Sequence, residues 1–156
     1  MSSASPLQIA ASIAAAKVRS RISRTSHSRY PWLFISPESK DDVRSVVQTW
    51  LSDKGVLEQV SREINTTSSA DLSHRVEEFY PIVWTGRPGI LKTPFPGKTL
   101  VIVGLEYVNS DNGLPHLSKT ELFAGDFILV SGDQDLQFSN KGGGTSLFII
   151  LKNEGQ

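Results

Sequence analysis

The chain has 156 residues, no cysteine, and 16 basic against 16 acidic residues. Its length allows one domain or a domain with an appendage, and a real buried core. Zero cysteine excludes disulfides, thiolate catalysis and cysteine-ligated zinc, and zero formal charge offers no bulk attraction for nucleic acid.

The charge is unevenly spread. Every acidic residue follows Pro37, whereas Lys17, Arg19, Arg21, Arg24 and Arg29 precede it, so residues 1–37 carry +5 and the remainder −5. Residues 6–23, PLQIAASIAAAKVRSRIS, can form a helix with Leu7, Ile13 and Val18 loosely on one side. An acid-free, serine-rich, arginine-bearing amphipathic leader has the composition of a mitochondrial transit peptide. A helix packed on the domain or making dimer contacts fits the same residues, and a basic arm touching nucleic acid is the third option. The expected compartment is therefore cytoplasmic or mitochondrial. No apolar run approaches the roughly 20 residues that span a bilayer, so no membrane span is expected.

From Ser36 the pattern sharpens. Ser36 is placed as a helix cap and Pro37 at the first helical position. Val43, Val46, Val47, Trp50 and Leu51 then repeat at helical spacing on one apolar face. Gly55 is expected to break that helix. A second one should cover residues 56–64 with Val56, Leu57, Val60 and Ile64 inward. Leu72, Val76 and Phe79 suggest a further helical turn or two. Trp50 on such a face reads as core.

At Tyr80 short β-rich runs begin, punctuated by Gly and Pro: YPIVW, GILKT, KTLVIVGLEYV, LPHLSKTEL, DFILV, DLQFS and TSLFIILK. Strands at this spacing with no helix between them predict an antiparallel sandwich or barrel. TSLFIILK is too apolar for an edge and should lie inside a sheet. The expected division is a leader over 1–36, a helical segment over 37–79 and a β-barrel over 80–153. KGGGT precedes a strand rather than a helix, so it reads as a turn and not a phosphate loop. NTT at Asn65 matches an N-glycosylation pattern, but no secretory signal precedes it.

Residues 125–140 read GDFILVSGDQDLQFSN. Their spacing is similar to the second motif of the cupin superfamily: glycine, five residues, proline, one, glycine, two, histidine, three, asparagine. Gly125 and Asn140 keep the ends of that frame. Ser131 stands where proline is usual, Asp133 where the second glycine is, and Leu136 where the histidine is. Upstream, KTLVIVGLEYV resembles the strand pair that closes the first cupin motif, with Gly104 as its terminal glycine. The stretch that should supply two histidines and a glutamate, residues 86–98, holds neither residue type. The resemblance implies a mainly β fold with N-terminal helices, a small antiparallel jelly-roll barrel, and a homodimer.

It does not imply a metal here. A catalytic cupin metal needs converging imidazoles and a carboxylate in a dry interior, and of the three histidines only His116 lies in the β part. No metal and no cofactor are expected. The polar groups that could point into a barrel mouth are His116, Lys92 and Tyr107, as candidate acid–base residues. Trp84, Gln137, Leu136 and Phe138 are candidate ligand-lining residues. A surface histidine and a solvent-seeking lysine are the plainer readings of His116 and Lys92. Two functions remain open, the first the main expectation and the second its alternative. One is a metal-independent cupin handling a small hydrophobic metabolite, by binding or by isomerase, cyclase or lyase chemistry. The other is a non-catalytic module for dimerisation or protein interaction. The lining of the barrel separates them: an open pocket with His116, Tyr107 or Lys92 converging, or an interior plugged by Leu136, Phe138 and Phe148.

Overall fold

A computed structural model describes residues 5–22, 32–34, 38–64, 69–84, 89–111, 114–115, 117, 121–138 and 144–152. Helix α1 spans Pro6–Ile22. Ser5 starts it, its hydroxyl accepting the Gln8 amide at 3.1 Å, with Pro6 in the first helical position, where no amide is needed. The buried side of α1 is Leu7, Ala11, Ala14, Ala15 and Val18, a stripe at spacings of four, three, one and three. Ile13 is not part of it. With Ile9 it is half-exposed, because a residue two positions from Ala11 points to the opposite side of a 3.6-residue turn. Alanines at the contact let α1 lie close to its neighbours, and its buried residues share one apolar cluster with those of α2.

Helix α2 covers Glu38–Ser52 and α3 covers Lys54–Glu63. Val43, Val46, Val47 and Trp50 are buried, as their spacing predicts, and Leu51 is partly so. The break between the helices falls at Asp53 rather than Gly55. The Asp53 carboxylate accepts the Val56 amide at 3.1 Å as an N-cap, which places Gly55 inside the first turn. Helix α4 is Ser69–Arg75. The predicted helical turn through Val76 and Phe79 is instead the start of strand β2, because its long antiparallel partner outweighs the weak local helical spacing.

The strands are β1 Trp32–Phe34, β2 Val76–Trp84, β3 Gly89–Leu91, β4 Lys98–Gly104, β5 Val108–Asn109, β6 Glu121–Leu122, β7 Phe127–Ser131, β8 Leu136–Phe138 and β9 Thr145–Lys152. Five form one antiparallel sheet in the order β1-β2-β9-β4-β7, while β3 pairs β8 and β5 pairs β6 separately. The architecture is thus mixed, N-terminal helices on an antiparallel sheet, and the described strands form an open sheet with two small β pieces rather than one closed barrel. Strand β9 lies between β2 and β4 and is buried from Thr145 to Leu151, which places TSLFIILK inside the sheet as its composition requires.

The pleat divides the core in two. Val101, Val103, Phe127, Leu147, Ile149 and Leu151 meet the helices, where the Trp50 ring stands edge-on to Phe127 at 5.7 Å and 88°. Ile82, Leu100, Ile102, Val130, Phe148 and Ile150 face the other way, towards the small β pieces. Charged contacts fasten α2 to β2. Lys40 pairs with Glu78 and lies over the Phe79 ring, 4.8 Å from its centroid, a cation–π contact. The hydrogen bond from Lys40 holds the Glu78 carboxyl below its ordinary range. No described helix is long and apolar enough to cross a membrane.

Candidate functional site

The place where a barrel would hold its ligand is the second apolar cluster. Leu136, fully buried, sits there with Ile82, Leu100, Ile102, Val108, Leu114, Leu122, Val130, Phe148 and Ile150. Phe148 is central, with the Tyr80 ring 6.0 Å away and the Phe95 ring 6.3 Å away. Tyr80 and Phe95 were missed by the sequence reading. Alternation could have found Tyr80, since it shares a face of β2 with Ile82, two residues on. Phe95 lies in the 92–97 loop, where no periodicity exists to read.

Burial, and secondarily the nearby Glu78 charge, push the Tyr80 phenol up to about 12. An unfolded tyrosine ionises near 10, so unfolding releases a proton above that pH. The stabilisation is complete below about 10 and is lost as pH rises towards about 12. Tyr80→Phe should therefore flatten the fall in stability across this window, read from denaturation midpoints at stepped alkaline pH. An equal fall in both proteins would place the Tyr80 hydroxyl in solvent.

The 125–140 frame is held by backbone geometry. Gly125 has φ +89°, and a Cβ there would come within 3.0 Å of the Gln8 Cα, so this turn is also the seat of α1. Gly132 meets the loop of residues 92–97: its amide donates to the Lys98 carbonyl at 2.7 Å and its carbonyl accepts the Phe95 amide at 3.0 Å. Two carboxylates complete the dock. Asp133 accepts the Gly97 amide at 3.1 Å and Asp135 the Thr93 amide at 3.0 Å. Thr93 has a left-handed φ of 42°, which the Asp135 bond helps to hold. Asp133, at the second-glycine position of the cupin pattern, and Asp135, at a variable one, thus pin the 92–97 loop.

Among the described residues, the predicted polar site residues do not join the second apolar cluster. Lys92 is exposed beyond the end of β3. Tyr107 is 44 % exposed, its hydroxyl donating to Glu121 at 2.6 Å and its ring tilted on the exposed Phe123 at 5.0 Å. Gln137 is exposed, because it alternates with the buried Leu136 along β8. Among the predicted site residues whose side chains are described, only Leu136 is buried. Trp84 and Phe138 have their backbones in β2 and β8, opposite Trp32 and Gly89, and their side chains lie outside the described residues. His116 lies outside them altogether. Of the candidate acid–base residues His116, Lys92 and Tyr107, the two that are described, Lys92 and Tyr107, are exposed and neither belongs to the second apolar cluster.

The residues do not fit a cupin metal. Leu136 puts an isobutyl group in the histidine slot, its neighbours are apolar, and among the described residues no three histidines or carboxylates come together to hold a metal ion. Away from the interior, an open groove of about 230 Å³ lies between the end of α3 and the sheet, lined by Glu63, Ile64, Thr99, Leu129, Val130 and Ser131. No family model and no curated protein matches the chain.

Proposed function

We propose that the chain is a metal-free jelly-roll module of the cupin type, with a filled interior, acting by protein interaction rather than by catalysis. The strand order supports the jelly roll. The sequence β2-β9-β4-β7 in one layer, with β3 beside β8 and β5 beside β6 opposite, is the order that two interlocked Greek keys give. One observation carries the functional reading: Leu136 is fully buried among apolar side chains, at the position where a ligand-handling relative would need a polar group. Catalysis by positioning needs a cavity with convergent polar groups, and Lys92, Tyr107 and Gln137 all stand outside that cluster.

A second reading, a small hydrophobic metabolite handled by isomerase, cyclase or lyase chemistry, is favoured by the Tyr107–Glu121 hydrogen bond beside the Phe123 ring. A phenol–carboxylate pair next to an apolar ring could hold such a molecule at the outer surface. Native mass spectrometry of protein purified from its own cells separates the two. The module reading expects the bare chain mass or a multiple of it. A stoichiometric organic adduct that Tyr107→Phe releases would replace it with the metabolite reading.

A further inference from the structure

The outer face of the β5–β6 ribbon carries side chains that the packing of the interior leaves unused. Val108 pairs with Leu122 and Asn109 with Glu121, and Val108 and Leu122 are buried in the second apolar cluster. Alternation then turns Tyr107, Asn109, Glu121 and Phe123 to the other side. Tyr107 and Phe123 lie one step beyond that register, and their rings meet at 5.0 Å with 44° between their planes. Neither ring is buried in the protein's own core: Tyr107 is 44 % exposed and Phe123 55 %. Ile9, Ile13 and Ile90 are also exposed, but aliphatic groups offer area without any preference for charge.

Tyr107 and Glu121 are diagonal neighbours across the ribbon. The phenol donates to Glu121 Oε2 at 2.6 Å, which fixes ring and carboxylate relative to each other before any guest arrives. Among the described residues Glu121 takes no other hydrogen bond, so its Oε1 is open to a donor. The Phe123 amide donates to Asp126 Oδ2 at 3.0 Å, tying the backbone under the second ring to the Gly125 turn. Between Gly104 and Phe127 the chain has four acids, Glu106, Asp111, Glu121 and Asp126, against the single base Lys119. A segment of that balance attracts cations.

We infer that Tyr107, Phe123 and Glu121 form a binding site for an arginine side chain of a protein partner. The inference rests on the interaction-module reading and gives the chemistry of that partner. Two exposed rings beside a carboxylate recognise a cation twice, through the ring quadrupoles and through a charge-assisted hydrogen bond. Arginine suits both at once. Its planar guanidinium stacks on a ring while the N–H groups at its edge reach a carboxylate, whereas the lysine ammonium is a compact, strongly hydrated charge. The open ribbon surface favours a side chain presented by a macromolecule, since a small free cation would keep most of its surface in water and lack an enclosing cavity. Arg24 and Arg29 of the chain's own leader carry the same chemistry, and the test separates them.

Magnetic-resonance titration of the isotope-labelled whole chain tests the site, with a short end-blocked peptide that alternates glycine and arginine as the probe. The Tyr107, Val108, Glu121 and Phe123 amide signals should move together, with a midpoint near about 1 mM, the weak affinity of one exposed cation site. Added salt should weaken the binding. A glycine–lysine peptide should bind about threefold more weakly or worse, and a glycine–alanine peptide should leave the signals in place. Glu121→Gln keeps an acceptor for Tyr107, and Phe123→Leu keeps bulk on the ribbon. Each should weaken arginine binding about threefold or more with unchanged circular dichroism, and either serves if the other misfolds. Unmoved signals, equal binding of the lysine peptide, or an affinity that both substitutions leave intact overturns the inference. Arginine binding that emerges only after Arg24→Ser and Arg29→Ser would give the site to the chain's own leader and overturn the partner. The two readings fail separately. An organic adduct that Tyr107→Phe releases in the native mass spectrum removes the module reading, whereas a bare chain that ignores the arginine peptide removes this site alone.

Discussion

Leu136→Ala should cost about 2–5 kcal/mol, the range for truncating a leucine in a core that relaxes only partly. The side chain is fully buried and shares its cluster with Ile82, Leu100, Ile102 and Phe148. These belong to β2, β4 and β9, the middle of the sheet, so collapse into the vacated volume would have to move several paired strands. Against a typical stability of about 5–15 kcal/mol, that loss lowers the denaturation midpoint well beyond experimental scatter. The same measurement reports on function. If Leu136 lined an open, water-filled pocket, truncation would remove little buried area and cost under about 1 kcal/mol, and the filled interior would have to be abandoned. Leu136→His makes the complementary case. It places the residue of the cupin pattern at this position but buries an imidazole without partners, at about 1–3 kcal/mol for the unmet hydrogen bonds alone. Adding zinc or manganese should not recover that loss, because residues 86–98 contain no histidine or acid to complete a site.

What the sequence made legible was whatever a single period could encode. The α2 face at Val43, Val46, Val47 and Trp50, the interior place of TSLFIILK, and the inward turn of Leu136 each follow from local spacing and hydrophobicity. Boundaries set by competition were not legible. Val76 and Phe79 carry a passable helical spacing, yet their pairing with Leu151 and Ile149 of β9 is a long-range gain that no local window contains. Ile13 was misplaced for a different reason. Its hydrophobicity drew the stripe through it, whereas the true stripe runs through alanines, whose small size suits close helix contact. For the site, the sequence spoke clearly about which residues of the cupin pattern are absent and poorly about what stands in their place. Tyr107 and Lys92 were candidates by residue type alone, and exposure follows from the path of the chain at the ends of short strands. The roles of Asp133 and Asp135 depend on contacts with residues 36 to 42 positions away, which no spacing rule reports.

Gly132→Ala should cost about 3 kcal/mol or more, as a clash in a tight backbone contact combined with lost hydrogen bonds. A Cβ at this position would lie 1.9 Å from the Phe95 carbonyl oxygen and 2.7 Å from that of Lys98. Both are backbone atoms, so no side-chain rotation relieves the overlap and the 92–97 loop must lift away. Lifting it breaks a connected set: the two Gly132 backbone bonds, the Asp133 bond to Gly97 and the Asp135 bond to Thr93. It also withdraws Phe95 from the Phe148 ring, opening the interior at one end. Chemical denaturation gives the size of the loss. Amide exchange gives its location, since the Thr93, Phe95 and Gly97 amides should lose protection together while Ile128 and Val130, paired with β4, keep theirs to within the global change. Asp135→Asn, which leaves the space at Gly132 untouched and keeps an acceptor, should cost no more than about 1.5 kcal/mol. A Gly132→Ala protein within about 0.5 kcal/mol of the wild type, the scatter of neutral surface changes, would mean that the loop does not dock here. The expected asymmetry between the two substitutions bears on why this glycine stands in the frame at all. In the cupin pattern the glycine three residues before the ligand position would be position 133, here Asp133, and Gly132 stands at the variable place before it. The requirement for glycine comes instead from the close approach of the 92–97 backbone, which is a demand of packing and would persist with no metal ever bound.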